Sequence, residues 1–338
     1  MKRIERTPHA AASVCAAAAL LAGCSSAAPR LSPAEPVWRN GPPLISPVRT
    51  APARRYDGRV SWMAAGAKRT SLLYITDANN GTVSVFSYPK GEIEGTLTGF
   101  EEPYGECTNK AGDVWIVDDE TATITEFAHG GTSPIGTLSD SGAYPAGCSV
   151  DPSTGNLAVT NYEGPGGGPG SISIFKKAKG KPVIYTDASI SRAWFCSYDG
   201  SSNLFVDGDK SGTSGFQLAE LPAGSGAFTN IAIDQSITVA GGVAWDGKYV
   251  AVAEENEGPD SVYQFSISGS SGTEVTATTL TGSKNVHQFW IDPARKRVIA
   301  PSASLGTAGY WKFPAGGDAS KTLTGLDIPE ATVVSSSR

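Results

Sequence analysis

The chain has 338 residues, 40% hydrophobic and 18% charged, with 40 Gly and 22 Pro. It is too apolar for a disordered polypeptide, and it lacks the run of about 18 apolar residues that a membrane-spanning helix needs. A net charge of −6 argues against a nucleic-acid-binding surface, so no nucleic-acid partner is expected. At the N-terminus, Lys2, Arg3 and Arg6 precede a short apolar stretch over residues 10–22. A basic start followed by so short an apolar run predicts a secretory signal rather than a transmembrane helix.

That stretch ends in Leu21-Ala22-Gly23-Cys24. The tetrapeptide resembles the bacterial lipoprotein signal, in which cleavage precedes the cysteine and the thiol is acylated. The resemblance implies a signal peptide over residues 1–23 and lipidation at Cys24. It also implies a membrane-anchored, extracytoplasmic location, on the periplasmic face or at the cell surface. Each buried acyl methylene contributes about 0.8 kcal/mol, so two or three chains would hold the protein stably to a membrane. Residues 24–69 are rich in Ser, Ala, Pro and Arg without apolar periodicity, and they read as the lipidated cysteine and a flexible tether.

From residue 70 onward the sequence repeats itself. A short β-rich stretch, in most copies closing on an acid or amide, occurs at residues 72–77, 114–118, 157–161, 204–207, 249–254 and 298–301. A second, ending in an aromatic residue or Leu, follows each at 83–86, 124–127, 172–175, 216–218, 262–265 and 310–313. A third is clear at 96–99, 137–139 and 322–325, after turns such as Tyr88-Pro-Lys-Gly91. A fourth element leads every unit but the first, and its aligned positions 107, 148, 196, 243 and 289 lie 41, 48, 47 and 46 residues apart. Apolar and polar residues alternate as in strands, and Asn80-Gly81 is a hairpin signal.

Four short strands per unit, six times over, predict an all-β fold: a six-bladed β-propeller over residues 70–338. The first unit lacks its leading strand, and residues 329–334 have the pattern to supply it, so the ring would close by pairing the C-terminal strand with the first blade. Residues 147–161, Gly-Cys-Ser-Val-Asp-Pro-Ser-Thr-Gly-Asn-Leu-Ala-Val-Thr-Asn, resemble the NHL-repeat pattern. The resemblance extends in degenerate form over most of residues 70–338. It implies a propeller whose relatives include scaffolds, ligand-binding modules, lactonases of the gluconolactonase type and streptogramin-lyase-like enzymes, so the fold alone selects no function.

In such a ring, the loops between second and third strands share a face with the segments entering each inner strand. The candidate binding residues on that face are Tyr104, Glu106, Asp118, Tyr144, Asn161, Arg192, Trp194, Asp207, Glu254, His287 and Glu330, and the same loops carry Asp119, Tyr162, Asp209 and Glu255. Acids among aromatic residues suit a cation or a polyol-like ligand. The plainer reading of Asp77, Asp118, Asn161 and Asp207 is that each caps its own turn. The leading expectation is therefore a lipid-anchored binding or scaffold module, not an enzyme and without a cofactor, whose partners are the membrane and a protein, glycan or small molecule. The alternative is a calcium-dependent hydrolase of the lactonase or phosphotriesterase kind, or a lyase, with His287 as the catalytic candidate. No metal ligand set is assigned. Cys107, Cys148 and Cys196 occupy one repeat position and are read first as buried apolar fillers. One disulfide plus a free thiol, or a three-thiolate metal site, are the alternatives.

Overall fold

The computed structural model describes residues 60–337, apart from 141, 142, 165, 214, 256 and 257. The expected signal peptide, Cys24 and most of the expected tether lie outside the described residues. The chain there is all-β in a propeller-like arrangement of antiparallel sheets. Strands Pro103–Thr108, Val114–Asp118, Thr123–Phe127 and Pro134–Ser139 form one four-stranded sheet in chain order. Tyr144–Val150, Leu157–Glu163, Ser171–Phe175 and Val183–Tyr185 form the next. In a nine-stranded sheet, eight strands come from residues 190–281, where a run beginning with Ile190–Tyr198 and one beginning with Ala240–Trp245 join through the parallel pairs Ala232↔Ser271 and Ile233↔Gly272, and the ninth is Gly317–Asp318, paired with Ser271–Thr281. The last sheet in chain order holds Trp290–Ile291, Arg297–Ser302, Thr307–Lys312 and Lys321–Leu323.

The first sheet is assembled from both ends of the described chain. Strand Leu72–Asp77 pairs on one side with Thr82–Ser87 and on the other with Pro329–Ser335, in the register Leu72↔Ser335 to Asp77↔Pro329. Its outer edge is extended by Trp62–Met63, paired with Ile93–Thr98. This sheet and the buried Ala67 take up residues that the sequence reading gave to the tether.

Neighbouring sheets pack face to face, which explains the burial pattern. Leu72–Asp77 and Val114–Asp118 are buried at every position because both faces are covered. The outer strand Pro134–Ser139 is largely exposed. Apolar cores lie between sheets: Leu72, Tyr74, Val83 and Val85 meet Val114, Ile116 and Phe127 in one of them. Another lies inside the nine-stranded sheet, where Phe205, Leu218 and Ile231 face Val243, Val250 and Phe265.

Turn chemistry recurs with the repeat. After successive inner strands, an Asx side chain accepts backbone N–H groups two residues or more ahead: Asn109 from Ala111, Asp151 from Ser153, Asp199 from Ser201, Asp246 from Lys248 and Asp292 from Ala294, all at 2.7–2.8 Å. At the Asn80-Gly81 turn Gly81 has φ +62, and a Cβ there would stand 2.6 Å from the Phe100 carbonyl oxygen.

The inner strands converge closely. A Cβ on Gly105 would come within 2.3 Å of the Ala146 carbonyl oxygen on the neighbouring inner strand. Gln288 reaches across between them: its Nε2 donates to the Glu106 carbonyl at 2.7 Å, and its Oε1 accepts the Glu106 N–H at 3.1 Å. The preferred reading of the cysteines is corrected here. Cys107 and Cys148 form a disulfide, their Cα atoms 5.7 Å apart, and Cys196 is a buried free thiol. Side-by-side inner strands bring equivalent positions within bonding reach, which spacing along the chain does not reveal.

Candidate functional site

The candidate site lies on the face where the inner strands begin. His287, just ahead of Trp290–Ile291, is fully buried. Its Nδ1 is hydrogen-bonded to Glu330 Oε2, from the second residue of Pro329–Ser335, and its Nε2 stands 3.5 Å from Glu255 Oε2. Asn285 Nδ2 donates to the other Glu255 oxygen at 2.7 Å. Burial opposes a charged imidazole, but the Glu330 and Glu255 carboxylates outweigh it and raise the His287 pKa well above its usual value. The ring is held between these two side chains, which favour its protonated form. Tyr104 stacks on it with centroids 6.0 Å apart, and Phe195 lies 6.4 Å from Tyr104 and 6.2 Å from the imidazole.

Around this centre runs an aromatic ladder. Tyr162 stacks on Trp194 at 5.0 Å, and Tyr144, 41% exposed, tilts onto Tyr162 at 5.6 Å. Carboxylates hold both partners of the stack. Trp194 Nε1 donates to Asp209 Oδ1 at 3.1 Å, and the Tyr162 hydroxyl donates to Asp119 Oδ2 at 3.3 Å. Asp119 Oδ1 and the Tyr104 hydroxyl are buried without a hydrogen-bond partner. Burial, with Glu102 nearby, pushes the Asp119 pKa up to about 8. Burial also raises Tyr104 well above the usual tyrosine range, and Glu330, Glu255 and Asp119 add to it. Asp209 is raised by burial, opposed by its bond to Trp194 and by the charge of Arg192.

Of the residues selected from sequence, the fold brings Tyr104, Tyr144, Arg192, Trp194, His287 and Glu330 into this neighbourhood. The others are placed differently. Asp118 accepts N–H groups of Glu101, Glu102 and Thr121. Asn161 donates to Asp140, Ser171 and Ser173. Asp207 accepts the Phe195 N–H, and Glu254 accepts the Thr238 N–H and the Tyr263 hydroxyl. Glu106 is buried near Val333, toward the opposite face. A regularity emerges: Asp118, Asn161, Asp207 and Glu254 support their own sheets, while Asp119, Tyr162, Asp209 and Glu255, one or two residues later, reach the site. Successive strand residues point to opposite sides, which accounts for the one-residue shifts to Asp119, Tyr162 and Glu255 but not for the two-residue step from Asp207 to Asp209. Phe195 and Asn285 were not among the sequence candidates; Phe195 reads there as an ordinary core aromatic.

Among the described residues, no group of three or more His, Cys, Asp or Glu side chains is arranged to hold a metal ion. The donor set at His287 does not fit a calcium site, because calcium takes roughly six to eight oxygen ligands and here an imidazole stands between the two carboxylates.

No protein-family model matches the chain, and no curated protein matches it. Solved structures do. The chain resembles one in the nidogen/laminin complex at TM-score 0.64 and 10% identity, covering 79% of this chain and 99% of that one. A functionally unknown protein from Desulfotomaculum acetoxidans gives TM-score 0.58 and 10% identity over 79% of this chain and 99% of that chain. A putative 6-phosphogluconolactonase from Bacteroides fragilis gives 0.53 and 13%, over 80% of this chain and 99% of that chain. Identities this low speak for the propeller-type fold and for nothing finer.

Proposed function

We propose that this protein is a lipid-anchored, NHL-like, six-bladed β-propeller, held outside the cytoplasmic membrane through acylated Cys24. It binds a cationic or polyol-like ligand on its acidic–aromatic face, presented by a protein, a glycan or a small molecule. Six blades follow if the nine-stranded sheet counts as two, and the apolar core between its halves supports that count. The pairing of Leu72–Asp77 with Pro329–Ser335 supports closure by the C-terminal strand. The anchor rests on the basic start, apolar run and Leu21-Ala22-Gly23-Cys24 of the sequence.

The observation that carries the binding reading is the Tyr144–Tyr162–Trp194 ladder set between Asp119 and Asp209, with unpartnered Asp119 Oδ1 and Tyr104 hydroxyl beside it. Aromatic faces attract cations and stack on sugar rings, and carboxylates accept from ammonium or hydroxyl donors. Thermal melting of the full chain carrying Cys24→Ser, with spermidine and then with a panel of neutral oligosaccharides, tests it. A ligand at about 100 times its Kd adds roughly 2.7 kcal/mol, a shift of several degrees. That shift should vanish in Asp119→Asn or Tyr162→Ala. The reading fails if no member of either class shifts the melt, or if the shift survives both substitutions.

The second reading, a hydrolase or lyase, draws on the Glu330–His287–Glu255 arrangement. It requires turnover of a lactone, a phosphotriester or a lyase substrate, with calcium present or chelated, that is lost in His287→Asn.

A further inference from the structure

At the opposite end of the inner strands lies a cavity of about 470 Å³, within the range of small-molecule sites. Its lining includes Val243, Trp245, Phe289, Trp290, Pro293 and Val333. Gln288 and the Cys107–Cys148 disulfide belong to the same lining, where the inner strands close on one another. Trp245 and Trp290 are both partly exposed.

Most polar groups of this lining are already engaged. Ser149 Oγ accepts the Tyr198 N–H at 3.0 Å, and Ser197 Oγ accepts the Trp245 N–H at 2.9 Å. Thr332 Oγ1 donates to the Ile299 carbonyl at 2.8 Å. Both ends of the Gln288 amide are bonded to the Glu106 backbone. Asp246 is paired with Arg295 at 3.0 Å and capped by the Lys248 and Tyr249 N–H groups. The ionisable groups that remain are the buried Cys196 thiol and Glu106, whose two carboxyl oxygens are buried without a hydrogen-bond partner. Burial raises the pKa of the Glu106 carboxyl well above its usual value. A charged ligand entering here would lose its water and find only the Glu106 carboxyl to replace it. An apolar one would cover Trp, Phe, Val and Pro surface.

We infer that this cavity is a second binding site, independent of the acidic–aromatic face, for a neutral, apolar aromatic small molecule seated against Trp245 and Trp290 over the Gln288 floor.

The test uses N-phenyl-1-naphthylamine, a neutral fluorescent probe, with the full chain carrying Cys24→Ser in detergent-free buffer. Saturable, one-to-one enhancement is expected. Trp245→Ala, which removes a wall, and Thr108→Trp, which fills the cavity, should each weaken binding at least tenfold. Tyr144→Ala, on the other face, should leave it unchanged. Circular dichroism checks that each variant is folded. Hydrogen exchange on the chain with an intact cavity reads the same question without a cavity substitution, and probe-induced protection should concentrate at residues 106–108, 148–150, 243–247 and 288–293. Absence of saturable binding overturns the inference. So does binding that both folded cavity variants retain, or protection confined to the loop face or the outer strands.

Discussion

The two ends of the inner strands are opposites in chemistry, although the same strands build both. Glu330 stands at the loop face and Val333 lines the cavity, three residues along one strand. Tyr104 and Cys107 stand in the same relation, as do Trp194 and Ser197. At the loop face, chain entering from several sheets delivers carboxylates, a histidine and stacked aromatics, some with unpartnered polar atoms. At the cavity face, strands leave into tight turns whose Asx caps hold the backbone and whose hydroxyls are spent on neighbouring strands. Polarity here is set by position along the strand. The loop face keeps several unmet hydrogen-bonding atoms, while the cavity keeps apolar surface and, of its acids, only the Glu106 carboxyl unpartnered.

The largest expected effect comes from removing what both ends share. Deleting residues 329–338 takes away the strand paired with Leu72–Asp77, and with it Glu330 and Val333. The cooperative melt and the native circular dichroism spectrum should both be lost. A near-native melt would break the comparison, because the ends would then not depend on a common strand.

The disulfide belongs to the cavity end. It closes a loop of 41 residues, so Cys107→Ala with Cys148→Ala should cost about 3–4 kcal/mol and lower Tm by roughly 10 °C. Probe binding in the cavity should weaken in that variant, while ligand binding at the loop face should not.

The pH response sharpens the contrast. Burial raises the pKa of Glu106 at one end and of Asp119 at the other, the latter to about 8. The unfolded chain ionises these carboxyls near their ordinary values, so between those values and the raised ones the folded state holds more protons than the unfolded and stability falls as pH rises. Each group should therefore subtract up to about 1.4 kcal/mol of stability per pH unit between its unfolded and folded pKa. Asp119→Asn should flatten the decline in Tm from pH 5 to 8, and Glu106→Gln should flatten it as well. A cationic ligand at the loop face should restore the ionised form of Asp119 and leave Glu106 unaffected. Unchanged slopes in both variants would contradict the buried placement of these carboxyls.

The smallest effect is at a single turn. Asp199→Ala removes a cap that accepts the Ser201 and Asn203 N–H groups, at a cost of about 1 kcal/mol read from denaturant midpoints. Neither binding site should notice.

Much of the architecture was legible because each unit carries its own punctuation. The second-strand ends at Asp77 and Asp118 and the Asx turns at Asp151 and Asp199 mark where strands stop. The strand Ser271–Thr281 was not legible. It is rich in Ser and Thr, and its exposed edge makes a parallel junction that no local pattern announces. Trp62–Met63 was equally silent, since two residues against an outer edge leave no periodicity. Of the residues selected from sequence, Tyr104, Trp194, His287 and Glu330 come together on one face of the structure. The sequence could not say that His287 lies buried between Glu330 and Glu255, or that Asp119 rather than Asp118 reaches the aromatics.

By itself, then, the sequence determined the all-β class and the repeating strand pattern, because strand alternation and turn chemistry are local. Tertiary structure alone decided the Cys107–Cys148 bond, the charge on His287, the cavity over Gln288 and which of two adjacent acids is offered to a ligand. Those depend on distances between inner strands and on loss of water at their junction, and neither is encoded within any single repeat.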